Sequence, residues 1–205
     1  MSKSVYSVVL NDEIVELIDK KAFLSGSSRS QMINEILAEA VGFSTEKQQI
    51  AEIMDVIGAL EIGRLKVVRR QQSVIDFLSA LNYKYSPKVT YSVDLFAGEG
   101  YGELKIALRT TNPELLNITG NFFNDFIELE RLRDKTVQFG VRDGKLIRRL
   151  EFSKANFGKD LAEKISTYVG CLDKLFNEYV FDYNYGTERE KLKENYYALA
   201  DKMKI

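Results

Sequence analysis

The chain has 205 residues, 45% hydrophobic and 29% charged, an ordinary globular balance with enough apolar material for a real core. Its 29 basic and 30 acidic residues leave a net charge of −1, which excludes a bulk electrostatic pull toward nucleic acid, so any such contact has to be local. The absence of histidine excludes Ser-His chemistry and the usual imidazole metal sites, the lone Cys171 excludes an intrachain disulfide, and no apolar run reaches membrane-spanning length. A cytoplasmic protein without membrane association is expected.

Taken in chain order, residues 4–10 are rich in Val and Tyr and read as a strand. Asn11 offers an N-cap, and Asp12 and Glu13 place negative charge in the first helical turn, where the helix dipole favours it. Ile14, Leu17 and Ile18 form an apolar stripe at helical spacing, and Gly26 is a helix stop. Ser28 and Gln31 have the spacing of a capping box for a second helix, whose apolar face carries Met32, Ile33, Ile36, Leu37, Ala40 and Val41 before Gly42 ends it.

This order of a short N-terminal strand, a capped helix, the turn through Gly26, Ser28, Arg29 and Ser30, and a second helix resembles the ribbon-helix-helix family that includes the Arc and MetJ repressors. The resemblance covers residues 4–42. It implies a homodimer in which two chains pair their strands into an antiparallel ribbon that enters the major groove of double-stranded DNA. Alternation then places Tyr6, Val8 and Leu10 in the dimer core and turns Lys3, Val5, Ser7 and Val9 toward DNA. Ser7 can hydrogen-bond a base edge, while Val5 and Val9, which depart from the family's polar outward residues, can touch thymine methyls. The amides at Ser28, Arg29 and Ser30, with the Arg29 charge, would hold a backbone phosphate. Residues 1–44 nevertheless hold four basic and six acidic residues, which weakens non-specific binding.

Residues 45–84 read as a helical connector. Ile50, Ile53, Ile57, Leu60, Val67, Val74, Leu78 and Leu81 fall on alternating three- and four-residue steps, a seam that fits packing between subunits or within one domain. If it joins subunits, the assembly can exceed a dimer.

Residues 85–205 read as a separate α+β domain of order ββαββαα, a four-stranded antiparallel sheet with helices on one face. Strands are expected over 88–97, 103–111, 136–142 and 145–152, with Asp143-Gly144 as a two-residue hairpin turn. Asn112 and Pro113 open a helix reaching about 134 and broken near Gly120, a second starts near Gly158, and Thr187 to Glu190 has capping-box spacing for the last. Tyr179, Phe181, Tyr183 and Tyr185 alternate as in an edge strand or aromatic flap, or as a platform for a planar ligand.

The glycines from Gly98 to Gly102 lack the following Lys-Ser/Thr of a phosphate loop, and the acidic residues lack calcium-loop spacing. No cofactor, metal site or catalytic residue is assigned. Three function classes are weighed: a sequence-specific DNA-binding regulator (transcriptional repressor or plasmid-maintenance protein) with a C-terminal ligand- or protein-binding domain; a protein-interaction or antitoxin-like adaptor that keeps the dimer fold without DNA binding; and, with less behind it, an enzyme in residues 85–205 using carboxylates or tyrosines.

Overall fold

The computed structural model describes residues 5–43, 46–59, 63–71, 73–152 and 158–205. The chain divides into two compact units, 1–49 and 50–205.

The first unit is a helical hairpin. Helix α1 spans Asp12–Leu24, and the Asn11 side chain accepts from the Glu13 amide at 2.8 Å. Helix α2 spans Arg29–Ala40, and its capping box is complete: Ser28 accepts from the Gln31 amide, and the Ser28 amide donates to Gln31 Oε1 at 3.1 Å. Both helices end through a left-handed glycine. Gly26 has φ +62° and Ser27 N–H reaches back to Ala22 O, while Gly42 has φ +67° and Phe43 N–H reaches Ala38 O. A side chain with a Cβ is disfavoured at such a φ, so the two glycines set where each helix stops.

The hairpin buries little. Ile18, Ala22 and Met32 form its core, with Ile33 and Ile36 against them. Ile14, Leu17, Leu37 and Val41, expected on the buried stripes, are at least half exposed, because two helices share only one line of contact. The strand expected over 4–10 is not formed in the single chain: residues 5–10 have no regular secondary structure and are exposed, and Ser4 lies outside the described residues. A lone strand has no partner for its backbone N–H and C=O groups, so nothing holds it extended.

The second unit is α+β, built on a six-stranded antiparallel sheet of order β1-β2-β3-β4-β6-β5. After helix α3 (Glu46–Ala59), which begins in the first unit, come β1 (Lys66–Gln71), β2 (Val74–Ala80), β3 (Lys88–Phe96) and β4 (Tyr101–Arg109). Helix α4 (Pro113–Arg133), β5 (Phe139–Arg142), β6 (Lys145–Glu151), α5 (Lys159–Asp182), a 3₁₀ turn (Tyr183–Tyr185) and α6 (Glu188–Leu199) follow.

This corrects the sequence reading of 45–84 in part. Residues 46–59 are helical, but Lys66–Gln71 and Val74–Ala80 pair as antiparallel strands, and the second pairs with β3, from Val74 opposite Asp94 to Ala80 opposite Lys88. A boundary at 85 would therefore cut the sheet, which has six strands and not four. Val67, Val74 and Leu78 are strand residues and Leu81 follows the strand, so the seam of three- and four-residue steps ends with α3; Leu60 lies outside the described residues.

Alternation drives the core. Ile75 and Phe77, then Val89, Tyr91, Val93 and Leu95, then Leu104 and Ile106, then Leu146 and Leu150 all point inward. Ile118, Phe122 and Phe126 of α4 meet Leu172, Phe176 and Tyr179 of α5 in the same core, with the Phe122 and Phe176 rings stacked at 4.5 Å. Alternate positions on the other face, among them Asp76, Ser92, Asp94 and Lys105, are half-buried. Helix α4 starts on Asn112 and Pro113 as expected and runs through Gly120 unbroken.

Two smaller expectations are also corrected. The Thr187 side chain makes no cap bond, so the last capping box does not form. Tyr179 and Phe181 belong to α5 and Tyr183 and Tyr185 to the 3₁₀ turn, so their alternation is not that of a strand. A long amphipathic run from Leu161 onward carries the helix through Tyr179 and Phe181. No helix among the described residues is long and apolar enough to cross a membrane.

Candidate functional site

Of the residues assigned to DNA, Lys3 lies outside the described residues. Val5 and Val9 are 98% and 100% exposed, and Ser7 between them is exposed too. Tyr6 and Val8, on the alternate side, are 84% and 73% exposed, so neither side of this segment is covered within the chain.

Ser28, Arg29 and Ser30 come together at the start of α2, where the capping box orients the first turn. The Arg29 and Ser30 amides, as the first two of the helix, have no intrahelical acceptor and point along the positive end of its dipole. The Arg29 side chain is engaged across the hairpin. Its Nε donates to Asp19 Oδ1 at 2.6 Å and its Nη2 to Asp19 Oδ2 at 2.5 Å, a bidentate pair. The hydrogen bonds from Arg29 hold the Asp19 carboxyl below its ordinary range. Asp19 thus neutralises the one cation the sequence placed at the phosphate position. Residues ten apart on two helices share no periodic signal, so the sequence alone does not bring Asp19 to Arg29.

The second unit contains two polar constellations that no sequence motif announced. In the first, Glu130 of α4 is fully buried and accepts from Tyr168 at 3.1 Å and Tyr196 at 2.6 Å. It also meets Arg148 Nη2 at 3.2 Å and Arg133 Nη2 at 3.0 Å. Arg148 occupies an inward strand position between Leu146 and Leu150 and is 2% exposed. Its Nε and Nη1 have no hydrogen-bond partner among the described residues, but its guanidinium carbon lies 4.0 Å from the Tyr168 ring centre, a cation–π contact. Burial, partly opposed by Arg148, pushes the Tyr168 hydroxyl well up. Glu130, Arg148, Tyr168 and Tyr196 are enclosed by the core and offer nothing to solvent.

The second constellation borders an open cleft of about 540 Å³ between the residues at 64 and 82 and helices α5 and α6. Asp173 of α5, 4% exposed, accepts from Tyr91 at 3.0 Å and Asn177 Nδ2 at 3.3 Å, and pairs with Arg64 Nε at 3.3 Å. Asn177 Oδ1 accepts the Asn82 amide at 2.8 Å, which ties the β2–β3 loop to α5. Phe181, from the aromatic run noted in the sequence, lines the cleft; Tyr185 is 67% exposed beside its ring. Among the described residues, no group of three or more His, Cys, Asp or Glu is placed to hold a metal ion.

No protein-family model, curated protein or solved structure matches the chain.

Proposed function

We propose that the chain is one subunit of a homodimeric, sequence-specific DNA-binding regulator of ribbon-helix-helix type, with residues 50–205 as its ligand- or protein-binding unit. The observation that carries this reading is the first unit's uncovered apolar surface. Ile18, Ala22 and Met32 hold two helices together, while Tyr6, Val8, Phe23, Leu24 and Val41 are each more than 70% exposed. A unit this small does not stabilise itself with so thin a core. A second copy supplies both what the apolar face lacks and the strand that residues 5–10 need. In that dimer the ribbon presents Val5, Ser7 and Val9 to base edges, and the start of α2 meets the phosphate backbone.

The test is twofold: light scattering on the full chain at micromolar concentration, and selection of bound duplexes from a random pool. A dimer that enriches a palindromic sequence is expected. A monomer refutes the reading at its root. The adaptor reading is favoured by one specific observation, the neutralisation of Arg29 by Asp19. It predicts a dimer that enriches no sequence.

A further inference from the structure

The cleft between α5 and α6 is built before any ligand arrives. The buried carboxylate of Asp173 engages Arg64 through Nε, and the half-exposed Arg64 side chain lines the cleft. Its remaining guanidinium N–H groups form a planar fork, the geometry that matches a carboxylate. The Asn82–Asn177 hydrogen bond at 2.8 Å fixes the wall beside it. Its size lies within the range of small-molecule sites.

The rest of the lining has the other sign on balance, with Glu178, Asp182 and Glu194 against Lys191. Lys191 is paired with the buried Asp182 at 2.8 Å, so its charge is compensated locally. Glu178 accepts from Asn195 Nδ2 at 3.1 Å and meets Lys174 Nζ one turn earlier on α5 at 3.7 Å, a loose, solvent-screened pair, and Glu194, exposed on α6, lines the cleft with them. Arg64 and Lys191 thus each keep a carboxylate partner, Asp173 and Asp182, and Glu178 and Glu194 are the further acidic side chains of the lining. A dicarboxylate would be repelled by Glu178 and Glu194, and a plain diamine by Arg64. Phe181, 46% exposed, presents a ring on which an alkyl stem or a cation can rest.

We propose that this cleft binds a small basic amino acid, its carboxylate on Arg64 and its ammonium or guanidinium group toward Glu178 and Glu194. Such a molecule is the natural candidate for the effector in the proposed regulator. Its binding is read without DNA, so failure here and failure of DNA binding are separate results.

The experiment is calorimetric titration of the full chain with L-lysine and L-arginine, with cadaverine and glutarate as probes lacking one charge type. Saturable binding of at least one amino acid is expected, with cadaverine and glutarate each weaker by about tenfold or more. Arg64→Met should cost the amino acid about tenfold and improve cadaverine, because the repelling cation is gone. Glu194→Gln, on an exposed helix position that leaves folding intact, should weaken the amino acid and leave glutarate no worse. Failure of both amino acids to bind, glutarate binding as well as they do, or unchanged affinity in both variants would overturn the assignment.

Discussion

Replacing Glu130 by Gln removes the carboxylate that, among the described residues, pairs with the buried Arg148, whose side chain is 2% exposed. An arginine so enclosed cannot regain water, and breaking a buried pair from one side costs about 3–5 kcal/mol. The amide still accepts from one of the two tyrosine hydroxyls that Glu130 now serves, so most of the cost is the stranded charge and not lost hydrogen bonds. Arg133 is less affected, being 17% exposed and also donating to Ala200 O at 3.0 Å. For a unit of this size the melting midpoint should fall by roughly 6–20 °C, at ~2–4 °C per kcal/mol. Adding Arg148→Met removes the stranded charge and fills its place with a side chain of similar length. The double variant should therefore be more stable than Glu130→Gln alone, with a coupling of ~2 kcal/mol or more. The assay is urea unfolding followed by far-UV circular dichroism, since the chain has no tryptophan. A Glu130→Gln cost under ~1 kcal/mol, or additive effects in the double variant, would show that the cluster is not the buried ion pair described.

Ser28→Ala should destabilise the first unit by about 1 kcal/mol, because the Gln31 amide loses its acceptor; thermal melting of the full chain reads it as an earlier loss of helix. The Asp19 carboxyl should titrate below its ordinary value of 3.8 in the native chain and return to it in Arg29→Met, as followed by carboxyl carbon chemical shifts. The sign follows from the depressed folded value: the pair contributes above the unfolded pKa and is lost as pH falls through the folded one, so Arg29 is released only at a pH below the ordinary carboxyl value of 3.8. Cys171 is half-buried and burial pushes its thiol up, so a thiol reagent at neutral pH should label it more slowly than in urea; equal rates would place it on open surface.

Local chemistry made several elements legible in the sequence. Asn11, Ser28 and Asn112 cap the helices they were expected to cap, because a side-chain oxygen two or three residues from a free amide needs no tertiary context. Gly26 and Gly42 end helices through a conformation other residues resist, and Asp143-Gly144 turns a hairpin for the same reason. The inward alternation of Val89, Tyr91, Val93 and Leu95 was legible because a strand buried on one face imposes a period of two.

Tertiary structure alone decided the rest. Val67, Val74 and Leu78 fit helical spacing as well as strand spacing over so short a window, and it is the pairing of β1 with β2, and of β2 with β3, that makes them strand residues. Arg148 sits at an inward position that sequence would give to an apolar residue, and it is tolerated because α4 brings Glu130 to it from eighteen residues away. Asp19 reaches Arg29, and Asp173 reaches Arg64, only after helices and strands are assembled. Periodicity reports which face of an element is buried; which charges meet across elements depends on how those faces pack, and no single segment encodes that.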